Sequence, residues 1–133
     1  MMISTRGRYA LRVLADLAEH DSGEFIPLKE VADRQRISLK YIERIMPVLT
    51  KNGYVLAMHG KGGGYKMLKS PKDCTIGDIL RLTEGSLAPV SCLMQDAAPC
   101  PLREQCRTLS MWERLDTMIS GFFDGITRAD LIK

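Results

Sequence analysis

Apolar residues recur at helical spacing along most of the chain, and the breaks between these runs mark out its elements. From Ser4 to His20, residues Ala10, Val13, Leu14, Leu17 and Ala18 fall on one face of a 3.6-residue repeat. The spacing predicts a core helix, with Ser4 or Thr5 placed to accept a bond from the open amides of its first turn. Asp21, Ser22 and Gly23 break the pattern. A shorter repeat, Leu28, Val31 and Ala32, predicts a second helix to about Gln35 after Phe25, Ile26 and Pro27. Arg36 and Ile37 form a turn, and Ser38 caps a third helix whose inward stripe is Ile42, Ile45, Met46 and Leu49. Pro47 falls inside that helix, where its missing amide is expected to kink the rod, and Gly53 ends it. The period then changes: Tyr54 to Met58 and Tyr65 to Leu68 read as two strands joined by His59-Gly60-Lys61-Gly62-Gly63-Gly64. A short helix, a tight turn, a capped second helix and a hairpin make a helix-turn-helix with a wing.

Beyond Ser70, Thr75 caps a predicted connector helix over Ile76 to Thr83, with Ile79, Leu80 and Leu82 apolar. A last helix is expected from about Leu102 to Phe123, carrying Leu109, Trp112, Leu115, Ile119 and Phe122 at helical intervals. So long a stripe has little partner surface in so small a chain. It is expected to pack against its own copy in a twofold homodimer, the alternative being a helix folded back on its own domain. Gly121 and Gly125 weaken its end, and Thr127 caps a final turn through Leu131. The resulting fold class is mainly α with a small β-wing. Residues 1–70 form a winged helix-turn-helix domain, 71–91 a connector helix and linker, 92–106 a cysteine loop, and 107–133 a dimerisation helix and tail.

Charge sharpens this picture. Between Arg34 and Lys69 stand eight bases and one acid, Glu43, for a net +7, whereas all 133 residues sum to only +3. Positive charge gathered on a helix and its neighbouring loop is the electrostatic footprint of a duplex DNA binder. Ser38, Lys40, Tyr41, Glu43, Arg44 and Lys51 are the helix candidates for DNA contact, and His59, Lys61, Gly62 and Gly63 those of the wing. A basic helix face is often merely solvated, but here the order of turn, helix and wing argues against that. Glu43 either accepts a bond from a cytosine amino group or pairs within the helix with Lys40 or Arg44. A nucleotide-binding reading of the glycine-rich loop is disfavoured, because no Lys-Ser/Thr pair is present and a strand follows where a helix is required. No run of roughly 18 apolar residues occurs, and Arg6, Arg8 and Arg12 interrupt the amino terminus, so neither a membrane span nor a signal peptide is expected and a cytoplasmic location is.

In a reducing compartment, clustered cysteines are more often metal or redox ligands than disulfides. Cys74 stands apart and reads as a small buried hydrophobe. Cys92, Cys100 and Cys106 share one stretch, with seven and then five residues between them and Pro99 and Pro101 bracketing the middle one. Three thiolates from one loop suit a soft metal site, above all an iron-sulfur cluster. Zinc, which normally takes a fourth protein ligand, and free or redox-paired thiols stay open on spacing alone.

The motifs Arg6-Gly7-Arg8-Tyr9-Ala10, Ile37-Ser38-Leu39-Lys40-Tyr41-Ile42-Glu43, Lys51-Asn52-Gly53 and Gly60-Lys61-Gly62-Gly63-Gly64-Tyr65 together closely resemble the Rrf-two family of bacterial winged-helix transcription regulators. The resemblance spans nearly the whole chain. It implies a dimeric regulator, not an enzyme, that places the helix after Ser38 in the major groove and the wing along the minor groove of a palindromic operator. Glu43 matches a base-reading acid of the family, whereas His59 stands where arginine is common. The cluster-binding members carry three cysteines in this loop, holding a two-iron or four-iron cluster. Their fourth ligand is not matched: a histidine three positions after the last cysteine is Leu109 here, and an amino-terminal acid is Arg8. Asp96, Glu104, a water or an external small thiol would have to complete the site. The function implied is a repressor whose DNA affinity follows a cluster that senses iron, redox state or nitric oxide. A clusterless regulator governed by thiol oxidation or a partner enzyme, and an iron-sulfur electron carrier, are the alternatives.

Overall fold

The structure, a computed structural model, describes residues 2–132. Helix α1 (Thr5–Glu19) begins where the Ser4 hydroxyl accepts a bond from the Gly7 amide, satisfying one open donor of the first turn. It is followed by α2 (Leu28–Gln35) and α3 (Leu39–Lys51). Ser38 caps α3 by accepting from the Tyr41 amide at 3.0 Å, as its sequence position predicts. Pro47 does not end this helix, which continues to Lys51. Arg36 sits between α2 and α3 in the left-handed region, at φ 55°, and the Ile37 amide bonds back to the Ala32 carbonyl. That one residue reverses the chain and buries Ile37.

The predicted stripes converge on a single core. Ala10, Val13, Leu14 and Leu17 of α1 meet Val31 of α2 and Ile42, Ile45, Met46 and Leu49 of α3. Strands β1 (Val55–Met58) and β2 (Gly64–Met67) pair antiparallel, with Val55 opposite Met67 and Met58 opposite Gly64. The hairpin is anchored by a neighbour that periodicity does not reveal: Ile26 and Tyr65 exchange two backbone bonds of 2.8 Å. At Gly64, φ is +149° and a Cβ would overlap the Ile26 carbonyl, so only glycine permits this close approach.

Helix α4 (Ile76–Glu84) starts at Thr75, which accepts from the Asp78 amide. Its Ile79 enters the main core beside the buried Cys74, confirming the expected role of that cysteine. Ile76 and Leu80 form a second cluster with Leu87, against which Ile119, Phe123 and Ile126 pack. Two polar ties hold the last turn of helix α4. Arg81 holds Asp124 in a two-pronged pair at 2.7 and 3.0 Å, and the Glu84 carboxylate accepts from the Ser4 amide and hydroxyl at 2.7 and 2.8 Å. A side chain at Gly77 would overlap Asp124, and one at Gly7 would overlap Glu84.

The last long helix, α5 (Leu109–Asp124), starts later than the expected Leu102. Residues 102–108 instead follow tight turns, with Gln105 and Cys106 bonding to carbonyls three residues back and an extended backbone at Cys106. The apolar stripe also divides between two neighbours. Ile119 packs on α4's cluster, while Leu115 and Phe122 are exposed with Met111 and Met118 in one row at intervals of four, three and four. Leu109 and Trp112 are half-buried. Helix α6 (Arg128–Leu131) then returns the chain to α1, capped reciprocally by Thr127 and Asp130. Arg128 is buried, donating to the Lys69 carbonyl at 2.8 Å, and burial lowers its guanidinium pKa.

Asp16 is 1% exposed and takes charge-assisted bonds from Arg34 at 2.7 and 3.0 Å and an amide bond from Gln35 at 2.9 Å. Burial alone would raise its pKa, but the bonds from Arg34 and Gln35 outweigh it and hold the carboxyl below its usual range. Asp16→Ala is expected to lower the unfolding free energy by about 3 kcal/mol, read as a lower urea midpoint at unchanged slope. Because the folded pKa is depressed, the stabilisation is present above the unfolded value of about 3.9 and fades as pH falls through the folded one. The wild-type advantage over Asp16→Ala should therefore shrink below about pH 4.

Candidate nucleic-acid interface and cysteine loop

Burying Ile42, Ile45, Met46 and Leu49 turns the opposite face of α3 outward, so Lys40, Glu43 and Arg44 are exposed. Tyr41 is half-buried and stacks edge-on against Tyr9 of α1 at 5.3 Å, with the Arg12 guanidinium 5.3 Å over the Tyr9 ring. Ser38 is exposed, its hydroxyl engaged as the cap, and Lys51 is exposed in the last turn of α3, where positive charge complements the helix dipole. At the wing tip His59, Lys61 and Gly62 are exposed, and Gly63 is half-buried with its amide bonded to the Gly60 carbonyl.

The eight bases of the segment are not equivalent. Arg34 is committed to Asp16, Lys66 lies 4.8 Å over the Phe25 ring, and Lys69 lies 4.2 Å over the Tyr54 ring. Among the described residues, Arg36, Lys40, Arg44, Lys51 and Lys61 have no ion pair or ring contact. Charge counting along the sequence could not make this distinction, because Asp16 precedes Arg34 by 18 residues. Nor does Glu43 pair with Lys40 or Arg44 among the described residues, so the intrahelical role weighed for it is not realised. A carboxylate left exposed on a basic face repels phosphates unless a base-edge donor meets it.

Cys92, Cys100 and Cys106 are free and exposed, and short turns over Ser91–Leu93 and Arg103–Gln105 shape the loop around them. Cys106 adjoins the start of α5. The Thr108 hydroxyl lies 3.4 Å from its sulfur, and that contact, with the Thr108 and Leu109 amides, holds its thiol below the usual range. Cys92 and Asp96 line one small cavity. Three unpaired thiols are a donor set suited to a soft metal, but the loop does not gather them: among the described residues no group of three or more His, Cys, Asp or Glu is placed to hold an ion.

A helix-turn-helix with an antiparallel wing, presenting unpaired basic side chains from its second helix, defines a winged-helix DNA-binding protein. The family model described as Rrf2, Iron-dependent Transcriptional regulator, matches residues 3–133. The chain belongs to the Rrf2 family of transcription regulators. It is 34% identical over 132 residues to the HTH-type transcriptional regulator IscR of Serratia proteamaculans (strain 568), covering 99% of this chain and 79% of that relative. T. potens IscR matches in structure with a TM-score of 0.75 at 33% identity, covering 99% of this chain and 86% of its own. CymR (YrzC), the global cysteine regulator of B. subtilis, matches with a TM-score of 0.80 at 30% identity, covering 99% and 96% respectively. These relatives are regulators rather than enzymes, and no helix of the described residues is long and apolar enough to cross a membrane.

Arg44→Ala should weaken binding to cognate and scrambled duplexes alike, whereas Glu43→Ala should chiefly narrow the gap between them. Fluorescence anisotropy on both duplexes checks this. Equal losses for the two variants on both would remove base reading from Glu43.

Proposed function

We propose that the protein is a homodimeric repressor that binds a palindromic operator through α3 and the wing, and that an iron-sulfur cluster on Cys92, Cys100 and Cys106 sets its DNA affinity. The observation that carries the reading is the pairing of an unneutralised basic helix face with a loop of three free, exposed thiols at the start of α5. The family description as iron-dependent and the likeness to proteins named IscR support the choice of iron. In this reading Lys40, Tyr41, Glu43 and Arg44 face the major groove, with Ser38 and Lys51 at the two ends of the helix. His59, Lys61, Gly62 and Gly63 follow the neighbouring groove.

When bound, the cluster supplies an iron- and redox-sensitive tie among the three sulfurs. The chain's own residues give such a tie something to act on. Leu87, just ahead of the loop, is buried against Ile76 and Leu80 of α4. Arg81 fixes the last turn of α4 to Asp124 of α5, and Glu84 fixes the same turn to Ser4, just ahead of α1. Loop, dimer helix and reading head therefore meet on one short helix.

The exposed row Met111, Leu115, Met118 and Phe122 supports a twofold seam, because its four-three-four spacing is that of a helix packing along a parallel or antiparallel copy. Leu109 and Trp112 would border that seam and Ile119 would support it from the α4 side. A second reading, regulation by thiol oxidation without a cluster, is favoured by the dispersed placement of the three thiols and by the likeness to CymR.

Anaerobic purification with iron and sulfide analysis and a visible spectrum separates the two readings. The cluster reading expects a coloured, iron- and sulfide-containing protein that Cys100→Ala renders colourless; a wild type without iron or sulfide after anaerobic reconstitution would leave only the thiol reading. Leu115→Glu is expected to give monomers by light scattering, and an unchanged mass would contradict the seam.

A further inference from the structure

Arginines near the helix-turn-helix divide into two groups. Arg12 and Arg34 are engaged by partners within the chain, Arg12 with the Gln35 side chain and carbonyl and Arg34 with Asp16. Arg6 and Arg44 have no ion pair among the described residues, yet they line one cavity of about 280 Å³ with Tyr41 and Ile45. Arg44 and Tyr41 come from α3, whereas Arg6 comes from the first turn of α1.

Two exposed guanidiniums that line one cavity with no carboxylate among its lining residues leave it positively charged, and an anion entering it would be attracted by both. The surroundings hold the backbone on both sides of this cavity. Ser4 is held by Glu84 on one side and caps α1 through the Gly7 amide on the other, so the backbone around Arg6 is clamped. Tyr41 is held by its edge-on contact with Tyr9. Arg8 is built differently: it donates to Thr5 and lines another cavity with Tyr9, Leu11, Arg12 and Leu131.

We infer that Arg6 and Arg44 form a clamp for one phosphate of the DNA backbone at the edge of the groove entered by α3, which extends the interface to the start of α1. The inference rests on the DNA-binding reading of α3 and deepens it. A backbone phosphate is the occupant the position favours, because Arg44 shares the outward face of α3 with Lys40 and Glu43. Guanidinium forks match phosphate oxygens in pairs, and a phosphate contact adds affinity without base preference.

The test measures DNA affinity of the full chain against salt concentration for wild type, Arg6→Ala, Arg6→Lys, Arg44→Ala, Arg8→Ala and the Arg6/Arg44 double alanine variant, with circular dichroism to confirm folding. Each neutralised phosphate contributes about 0.9 to the slope of log affinity against log salt. Arg6→Ala should flatten the slope by roughly that amount, equally on cognate and scrambled duplexes, and Arg6→Lys should restore most of it. The double variant should lose less than the sum of the single losses, because both side chains hold one group. A slope unchanged in Arg6→Ala, or flattened equally by Arg8→Ala, overturns the clamp while leaving DNA binding intact. A wild type that ignores duplex at low salt overturns the DNA reading and the clamp with it. Inorganic phosphate titrated without DNA tests a free anion: saturable binding lost in Arg6→Ala, with an unchanged DNA slope, assigns the cavity to that anion and overturns the clamp.

Discussion

A carboxylate removed from water in the last turn of α1 is the constraint on which the orientation of α3 depends. Asp16 is satisfied only if Arg34 and Gln35, at the end of α2, lie against α1. Arg12, one turn earlier on α1, grips Gln35 as well, by side chain and carbonyl. The end of α2 is therefore fixed just before Arg36 turns the chain through a left-handed conformation into α3. The direction in which α3 leaves follows from that geometry, and with it the display of Lys40, Glu43 and Arg44. Apolar packing of Ile42, Ile45 and Met46 holds α3 down, but packing is less directional than a two-pronged ion pair.

This arrangement changes the meaning of the positive charge. A cation paired with a buried acid, as Arg34 is, stabilises the fold and offers little to phosphate. Lys66 and Lys69, each over an aromatic ring, brace the hairpin and its exit. The charges left to meet DNA are fewer than the segment suggests, and they sit where α3 and the wing tip face outward. Arg6, distant in sequence, lines a cavity with one of them, Arg44, and Glu84 holds the chain just ahead of α1 in place.

Helix α4 connects this head to the rest of the chain. Its inner face serves two cores at once, with Ile79 in the main one and Ile76 and Leu80 in the smaller one shared with α5. The glycines at 7 and 77 allow the close approach that both of its polar ties need. A displacement of α5 or of the cysteine loop thus has a short, stiff route toward α1, which also backs α3 through Tyr9 and Tyr41.

The sequence by itself determined the helices from α1 to α4, the serine caps, the hairpin and the buried place of Cys74, because periodicity, capping chemistry and glycine placement act over a few neighbouring residues. It also carried the motifs of the family. The tertiary structure alone decided that Arg34 is paired with the buried Asp16, that Ile26 supports the wing, that Ile119 faces α4 while Met111 and Met118 join the exposed row, and that Arg6 and Arg44 line one cavity. It also decided that α5 begins after Cys106, since a tight turn over Arg103–Gln105 and an extended Cys106 precede it. Most of these outcomes join residues far apart in sequence. A pattern read along the chain records which face a residue occupies, but the partner on that face is set only when distant elements pack and their charges must be matched.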